Sequence, residues 1–184
     1  MSEESDVEIP SWIDKVLLTT IIRSHTSDLK AEVYDFVMKP DLSFGEHGGS
    51  SMCRVEILFS SSIQASNSLS VVIKVPRGDQ LDMAEIIQDL PIFETELDMY
   101  NGPLKDMKNL LESVGDMSNL YPELIYQTGR PRRMIVMKDL GVHGYKKITQ
   151  PLQDYEASKA VFERLAKFHA AGFFLINEKK IDFR

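Results

Sequence analysis

The sequence predicts an α+β fold with a mainly antiparallel sheet. Apolar and polar residues alternate along two segments, 52–59 and 69–76, and alternation with a period of two is typical of half-buried strands. Helical patterns flank the predicted strands in the order helix, strands, helices, strands, helix. Such grouping favours an α+β arrangement over a regular alternation of parallel strands and helices.

The first helix is predicted to begin after Pro10, with Ser11 as its N-cap, because a serine oxygen accepts hydrogen bonds from first-turn amides. A strand, a Gly/Ser-rich turn and the two alternating strands come next. The further elements are strands at 121–126 and 133–139 and helices at 82–90, 91–100, 104–114 and from 152 to near Gly172. The strand before the turn is predicted at 31–38, and the segment 141–150 is predicted to be irregular.

Composition excludes several classes of protein. The 184 residues suffice for one domain with a real core, and the net charge of -7 disfavours nucleic-acid binding, which needs a basic face. No apolar run approaches the roughly 20 residues of a membrane span, and the acidic segment 1–9 resembles no targeting peptide. Cys53 is the only cysteine, so an internal disulfide is impossible and a reducing, cytoplasmic location is expected.

Lys74 lies near the end of the second alternating strand, on the face shared by Ser70 and Val72. An ammonium group there must reach water, a carboxylate or a phosphate, because its burial without a partner is costly. Glu96, on the predicted helix 91–100, offers such a carboxylate. A strand lysine and a helix glutamate form the pair that positions nucleotide phosphates in kinases. The alternatives are a lysine that extends to solvent and a solvated glutamate, with Glu94 as a rival partner.

Three other features could contribute to a site. A small-residue turn before the strand at 52–59 could bring backbone amides close to phosphate, or be an ordinary flexible turn. It contains Gly45, Gly48, Gly49, Ser50 and Ser51. The strand that ends at residues 137–140 could lead to a hinge that binds adenine through its backbone, or be merely the end of a strand. His169 follows an apolar helical pattern, which favours a core histidine over a catalytic base.

These segments, in this order, resemble the ecdysteroid-kinase-like family, a branch of the choline-kinase-like small-molecule kinases with a protein-kinase-like fold. The similarity spans roughly residues 12–172. The matching stretches are 45–54, 71–74, 93–100, 135–141 with Gly144-Tyr145, and 165–171. The resemblance implies an N-lobe with an antiparallel sheet and an αC-type helix, followed by the first helices of a C-lobe. The expected divisions are a disordered lead at 1–10, an N-lobe at 11–140 and an incomplete C-lobe at 141–184.

By this resemblance, Lys74 would hold the ATP phosphates and Glu96 would pair with it, while the turn from Gly45 to Ser51 would cover the phosphates. The hinge would be lined by Met137, Lys138, Asp139 and Leu140. The turn departs from the family pattern at His47 and Gly48, where an asparagine and an aromatic residue are usual. The hinge departs at Lys138, where a glutamate is usual. This change matters less, because adenine is bound there mainly by backbone groups.

Family enzymes also need a His-Gly-Asp catalytic loop and a second aspartate for Mg²⁺, and no His-Gly-Asp occurs in these 184 residues. The expectation is therefore an N-terminal portion of an ATP-dependent phosphotransferase that would phosphorylate a small-molecule hydroxyl when intact. No catalytic or metal-binding residue is assigned, and this polypeptide is expected to be inactive alone. The alternative is a non-catalytic truncated isoform or pseudokinase that acts as a binding module.

Overall fold

Five antiparallel strands form one sheet in a computed structural model, which describes residues 10–39, 50–76, 91–146 and 154–179. The strands are β1 (Glu32–Lys39), β2 (Ser50–Ser60), β3 (Asn67–Pro76), β4 (Leu124–Thr128) and β5 (Met134–Lys138), in the order β1-β2-β3-β5-β4. The helices are α1 (Lys15–Thr26), α2 (Ile92–Asn101), α3 (Pro103–Ser113) and α4 (Tyr155–Lys179), with a short 3₁₀ helix at Leu140–His143. The predicted α+β class with an antiparallel sheet is confirmed.

The chain divides into two compact units, one drawn from Met1–Leu90 and Glu123–Val142 and the other from Pro91–Pro122 and His143–Arg184. The first holds α1 and the whole sheet, and the second holds α2, α3 and α4. The predicted acidic lead and the predicted helix at 82–90 lie outside the described residues.

One face of the sheet packs against α1. The alternation in β2 and β3 sends every second side chain to this face, where Val55, Ile57, Val71 and Ile73 are fully buried. From α1 the contributing residues are Leu18, Ile21 and Ile22. Burial of aliphatic side chains of this size stabilises a fold by about 1.5–3 kcal/mol each. This apolar layer therefore fixes the face of β2 and β3 that is left for polar groups.

The N-cap of α1 differs from the prediction. The helix begins at Lys15, and the Asp14 carboxylate accepts a hydrogen bond from the Leu17 amide at 2.8 Å. Ser11 was therefore the wrong N-cap. Aspartate satisfies a first-turn amide as well as serine does, so residue type alone could not separate the two positions.

The helices α2 and α3 follow each other through Gly102, and the predicted break there is confirmed. Phe93 and Tyr100 are the buried residues of α2, and Leu104 and Met107 are those of α3. Tyr121 meets Tyr100 edge to face, with ring centroids 5.8 Å apart. This contact ties Tyr121 to the helices, which explains why β4 begins at Leu124 and the predicted strand start at residue 121 was wrong.

The last helix continues beyond the predicted end at Gly172 and reaches Lys179. Gly172 is a packing residue rather than a C-cap, because a Cβ atom added there would lie 3.1 Å from the Met107 Cε atom of α3. Glycine thus permits close approach of the two helices.

The prediction for the apolar side of α4 was also incorrect. His169 is exposed rather than in the core, and Phe162 is 62% exposed, whereas Ala171 and Leu175 are buried. Helical periodicity at the start of α4 therefore did not identify the buried side.

A polar cluster ties the segment after α3 to α4. The Lys167 ammonium lies 2.7 Å from the Asp116 carboxylate and donates a hydrogen bond to the Ser118 hydroxyl at 2.6 Å. The Asp116 carboxylate also accepts a hydrogen bond from the Ser118 amide at 2.9 Å. These bonds, with that from Lys167 first, lower the pKa of Asp116 to about 2. Arg164, one turn before Lys167, donates to the Asn119 carbonyl and lies over the Tyr145 ring.

None of the helices within the described ranges combines the length and the apolar character that crossing a membrane requires.

We predict that Asp116 contributes to stability in a pH-dependent manner. Its folded-state pKa, about 2, lies below the ordinary value of 3.8, so the contribution is complete above the ordinary pKa. It declines as the pH falls below about 4 and is lost as the pH falls through about 2. In urea unfolding, the stability difference between the parent and Asp116→Asn should therefore be largest at neutral pH and much smaller at about pH 2.

The control is Glu112→Gln, which removes the carboxylate of an exposed pair with Lys108. This change should alter the free energy of unfolding by less than about 1 kcal/mol. A stability gap for Asp116→Asn that persists unchanged at about pH 2 would contradict the assignment.

Candidate functional site

The candidate site lies on the face of the sheet opposite α1. Lys74 is half-buried in β3 and stands in register with Met52 of β2 and Ile135 of β5. Ile135 and Met137, which share this face, are buried. The prediction that Lys74 occupies a half-buried position on the face away from the apolar core agrees with this arrangement.

Lys74 and the predicted hinge belong to neighbouring strands. Lys74 is opposite Ile135, and Val72 is opposite Met137, so the lysine lies two register positions from the first hinge residue. At a rise of about 3.3 Å per residue, Asp139 lies roughly 13 Å along β5 and its extension from the position of Ile135. A nucleotide can span such a separation between a bound base and its phosphates.

The Asp139 carboxylate is buried and engaged by three groups. Its side chain is 2% exposed, and the Arg54 Nε atom lies 2.9 Å from its Oδ2 atom. The Ser70 hydroxyl donates to Oδ2 at 2.8 Å, and the Gly141 amide donates to Oδ1 at 2.9 Å. The carboxylate thus links β2, β3 and the 3₁₀ helix that follows β5. Removing one partner of such a buried pair typically costs about 3–5 kcal/mol.

The backbone at the hinge is bonded on both sides. The Lys138 amide donates to the Glu123 carbonyl at 2.8 Å, and the Asp139 amide donates to the Ser70 carbonyl at 3.1 Å. The Lys138 side chain is 37% exposed and lies 3.6 Å from the Glu123 carboxylate. This exposed pair is worth little in stability, because solvent screens it. The departure from the family pattern at Lys138 therefore affects a side chain at the surface.

Glu96 is half-buried in α2, between Phe93 and Tyr100 on the side of the helix that packs. Burial raises the pKa of the Tyr100 phenol to about 12, and the negative charges of Glu96 and Tyr121 add to this effect. Glu96 therefore lies close to the buried Tyr100, whereas Glu94 is exposed. Lys74 and Glu96 belong to different units, and their pairing stays a prediction.

The phosphate-covering turn is described only in part. Gly45, Gly48 and Gly49 lie outside the described residues, together with the unusual His47. Ser50 and Ser51 are the first residues of β2, in register with Pro76 and Val75. Their predicted role toward phosphate is not tested.

Sequence reasoning assigned no role to Arg54, Ser70 or Gly141. Arg54 carried a detectable signal, because it is a cation on the polar face of an alternating strand and must find an anionic partner. The partner itself could not be identified, because Asp139 is 85 residues further along the chain.

Within residues 10–39, 50–76, 91–146 and 154–179, no group of three or more histidine, cysteine, aspartate or glutamate residues could hold a metal ion.

Comparison with protein families gives a match to this chain. The model of the ecdysteroid kinase-like family matches residues 44–184, which confirms the resemblance and shifts its bounds toward the C-terminus. Neither the curated proteins nor the solved structures include a significant match to the chain.

We predict that Glu96→Gln lowers the pKa of Tyr100. Removing a nearby negative charge makes the phenolate less unfavourable, while burial, the larger cause, keeps the pKa above its ordinary value of 10.0. Alkaline titration of tyrosinate absorbance would measure this change, with Tyr100→Phe identifying the signal. The matched control is Glu94→Gln, which should leave the titration unchanged. An unaltered Tyr100 titration in Glu96→Gln would place the Glu96 carboxylate away from the packed side of α2.

Proposed function

This chain belongs to the ecdysteroid kinase-like family, and we propose that residues 1–184 supply the ATP-binding part of a phosphotransferase acting on a small-molecule hydroxyl. The family supports a kinase-like phosphotransferase. The nucleotide, the acceptor class and the roles of individual residues are the proposal.

The observation that carries the proposal is the position of Lys74. The side chain is half-buried on the sheet face opposite the core, beside the strand that ends at the hinge. In kinases, a lysine on the corresponding strand contacts the α- and β-phosphates of ATP. Phosphoryl transfer depends mainly on positioning and on neutralising charge, so one well-placed ammonium is an effective contribution.

Glu96 has a supporting role in the proposal. A carboxylate that pairs with Lys74 would fix the direction of a flexible side chain. Glu96 suits this role because its helix position is half-buried beside Phe93 and Tyr100. Adenine would be bound by backbone groups of residues 137–140, at the end of β5, and Gly45 to Ser51 would cover the phosphates.

We predict that ATP stabilises the polypeptide 1–184 and that Lys74→Met removes most of this effect. A ligand that binds only the folded state adds about 2.7 kcal/mol of stability at a concentration 100 times its dissociation constant. Thermal or urea unfolding at increasing ATP concentration would measure the effect. The charge-matched control is Lys105→Met, since Lys105 is exposed on α3.

ATP stabilisation that is equal in the parent and in Lys74→Met would make Lys74 a structural lysine. The absence of any ATP effect on the parent would instead favour the second candidate function, a non-catalytic binding module.

We also predict that residues 1–184 alone bind nucleotide without transferring its γ-phosphoryl group. The 184 residues contain no His-Gly-Asp segment, and the catalytic aspartate of that segment accepts the substrate hydroxyl proton. Phosphorus NMR of ATP incubated with the polypeptide and a mixture of steroid and small-alcohol acceptors should show no phosphorylated product above a protein-free control. Turnover that disappears in Lys74→Met would refute this expectation.

A further inference from the structure

Asp139 fixes the backbone on both sides of Leu140, through its backbone amide on one side and its buried carboxylate on the other. Before Leu140, the Asp139 amide is bonded to the Ser70 carbonyl of β3. After Leu140, the Gly141 amide is bonded to the Asp139 carboxylate. Leu140 therefore begins the 3₁₀ helix between two anchored amides, and its peptide groups have little freedom to rotate.

The carboxylate itself is held from the neighbouring strands. Arg54 of β2 and Ser70 of β3 both contact its Oδ2 atom, while Oδ1 accepts from Gly141. One carboxylate oxygen contacts the strands and the other contacts the 3₁₀ helix. The carboxylate therefore holds the hinge backbone in a fixed position relative to the sheet. Arg54 contributes an ion pair, whereas Ser70 and Gly141 donate hydrogen bonds, and an ionised acceptor makes such bonds shorter and stronger than a neutral one.

Gly141 packs closely against the Arg54 and Asp139 side chains. A Cβ atom added at Gly141 would lie 3.0 Å from the Arg54 Nη2 atom and 3.0 Å from the Asp139 Oδ1 atom. A methyl group would therefore force the guanidinium or the carboxylate to move by a few tenths of an ångström, without removing any polar group.

We propose that Asp139 and Arg54, with Ser70 and Gly141, are positioning residues for adenine recognition. They hold the Leu140 backbone in the orientation that presents its polar groups to the edge of the base, and their side chains do not bind the nucleotide. This inference rests on the proposed function, because it needs ATP to bind at the hinge.

The test compares ATP with inorganic tripolyphosphate, which has the phosphates and no base. Calorimetric titration of the 184-residue chain would measure both dissociation constants, with Asp139→Asn and Gly141→Ala as variants. Each variant should bind ATP about tenfold more weakly, which corresponds to losing one or two hydrogen bonds to the base. Tripolyphosphate binding, which depends on Lys74 and the small-residue turn, should change less than twofold.

The matched control is Glu123→Gln, which removes an exposed carboxylate beside the same hinge and keeps the Glu123 carbonyl that accepts from Lys138. It should leave both affinities unchanged. If Asp139→Asn unfolds, Gly141→Ala still provides the measurement, because it keeps every polar group of the cluster.

The outcomes separate the two proposals. A parent chain that binds neither ligand would overturn the proposed function and this inference with it. A parent chain that binds ATP no more tightly than tripolyphosphate would overturn the inference alone. The inference would also fail if a folded Gly141→Ala variant bound ATP and tripolyphosphate in the same ratio as the parent.

Discussion

The alternation of β2 and β3 is the constraint on which the site depends. Four aliphatic residues on one face of these strands are fully buried with α1, and a shift by one residue would place Arg54 and Glu56 of β2, or Lys74 of β3, among the residues of that face. The register is therefore strongly fixed. As a result, Arg54, Ser70 and Lys74 lie together on the opposite face, where they meet the buried positions Ile135 and Met137.

The buried pair of Arg54 and Asp139 contributes more to geometry than to net stability. Desolvation of two charges offsets much of their attraction, and well-packed apolar residues are often as stable as a buried ion pair. An apolar pair could fill the same space, but it would give the Gly141 amide no acceptor and the Ser70 hydroxyl no partner. The charged arrangement therefore specifies one conformation of the backbone after β5. Such precise backbone geometry matters more for a surface that binds a ligand than for a hydrophobic core.

The sequence predicted those parts of the fold that depend on local pattern. The helix expected at 91–100 is observed at Ile92–Asn101, and the two alternating strands were found because a two-residue period is a strong signal. The start of β4 and the continuation of α4 past Gly172 were missed, because each depends on a contact with another helix. For the same reason, the sequence could suggest roles for Lys74 and residues 137–140 but could not identify the Arg54–Asp139 pair, whose members meet only after the sheet has formed.

The two cations of the polar face have side chains suited to different partners. Arg54 presents a rigid, planar guanidinium to a buried carboxylate, and its remaining exposure is 18%. The Arg54 guanidinium pairs with Asp139, and moving it toward a phosphate would leave a buried carboxylate without its cation. Lysine carries a compact charge on a flexible stem and binds phosphate as a point charge. Of these two side chains, Lys74 is therefore the better suited to meet a phosphate, whereas Arg54 is the one that we propose to act through Asp139 on the backbone of the hinge.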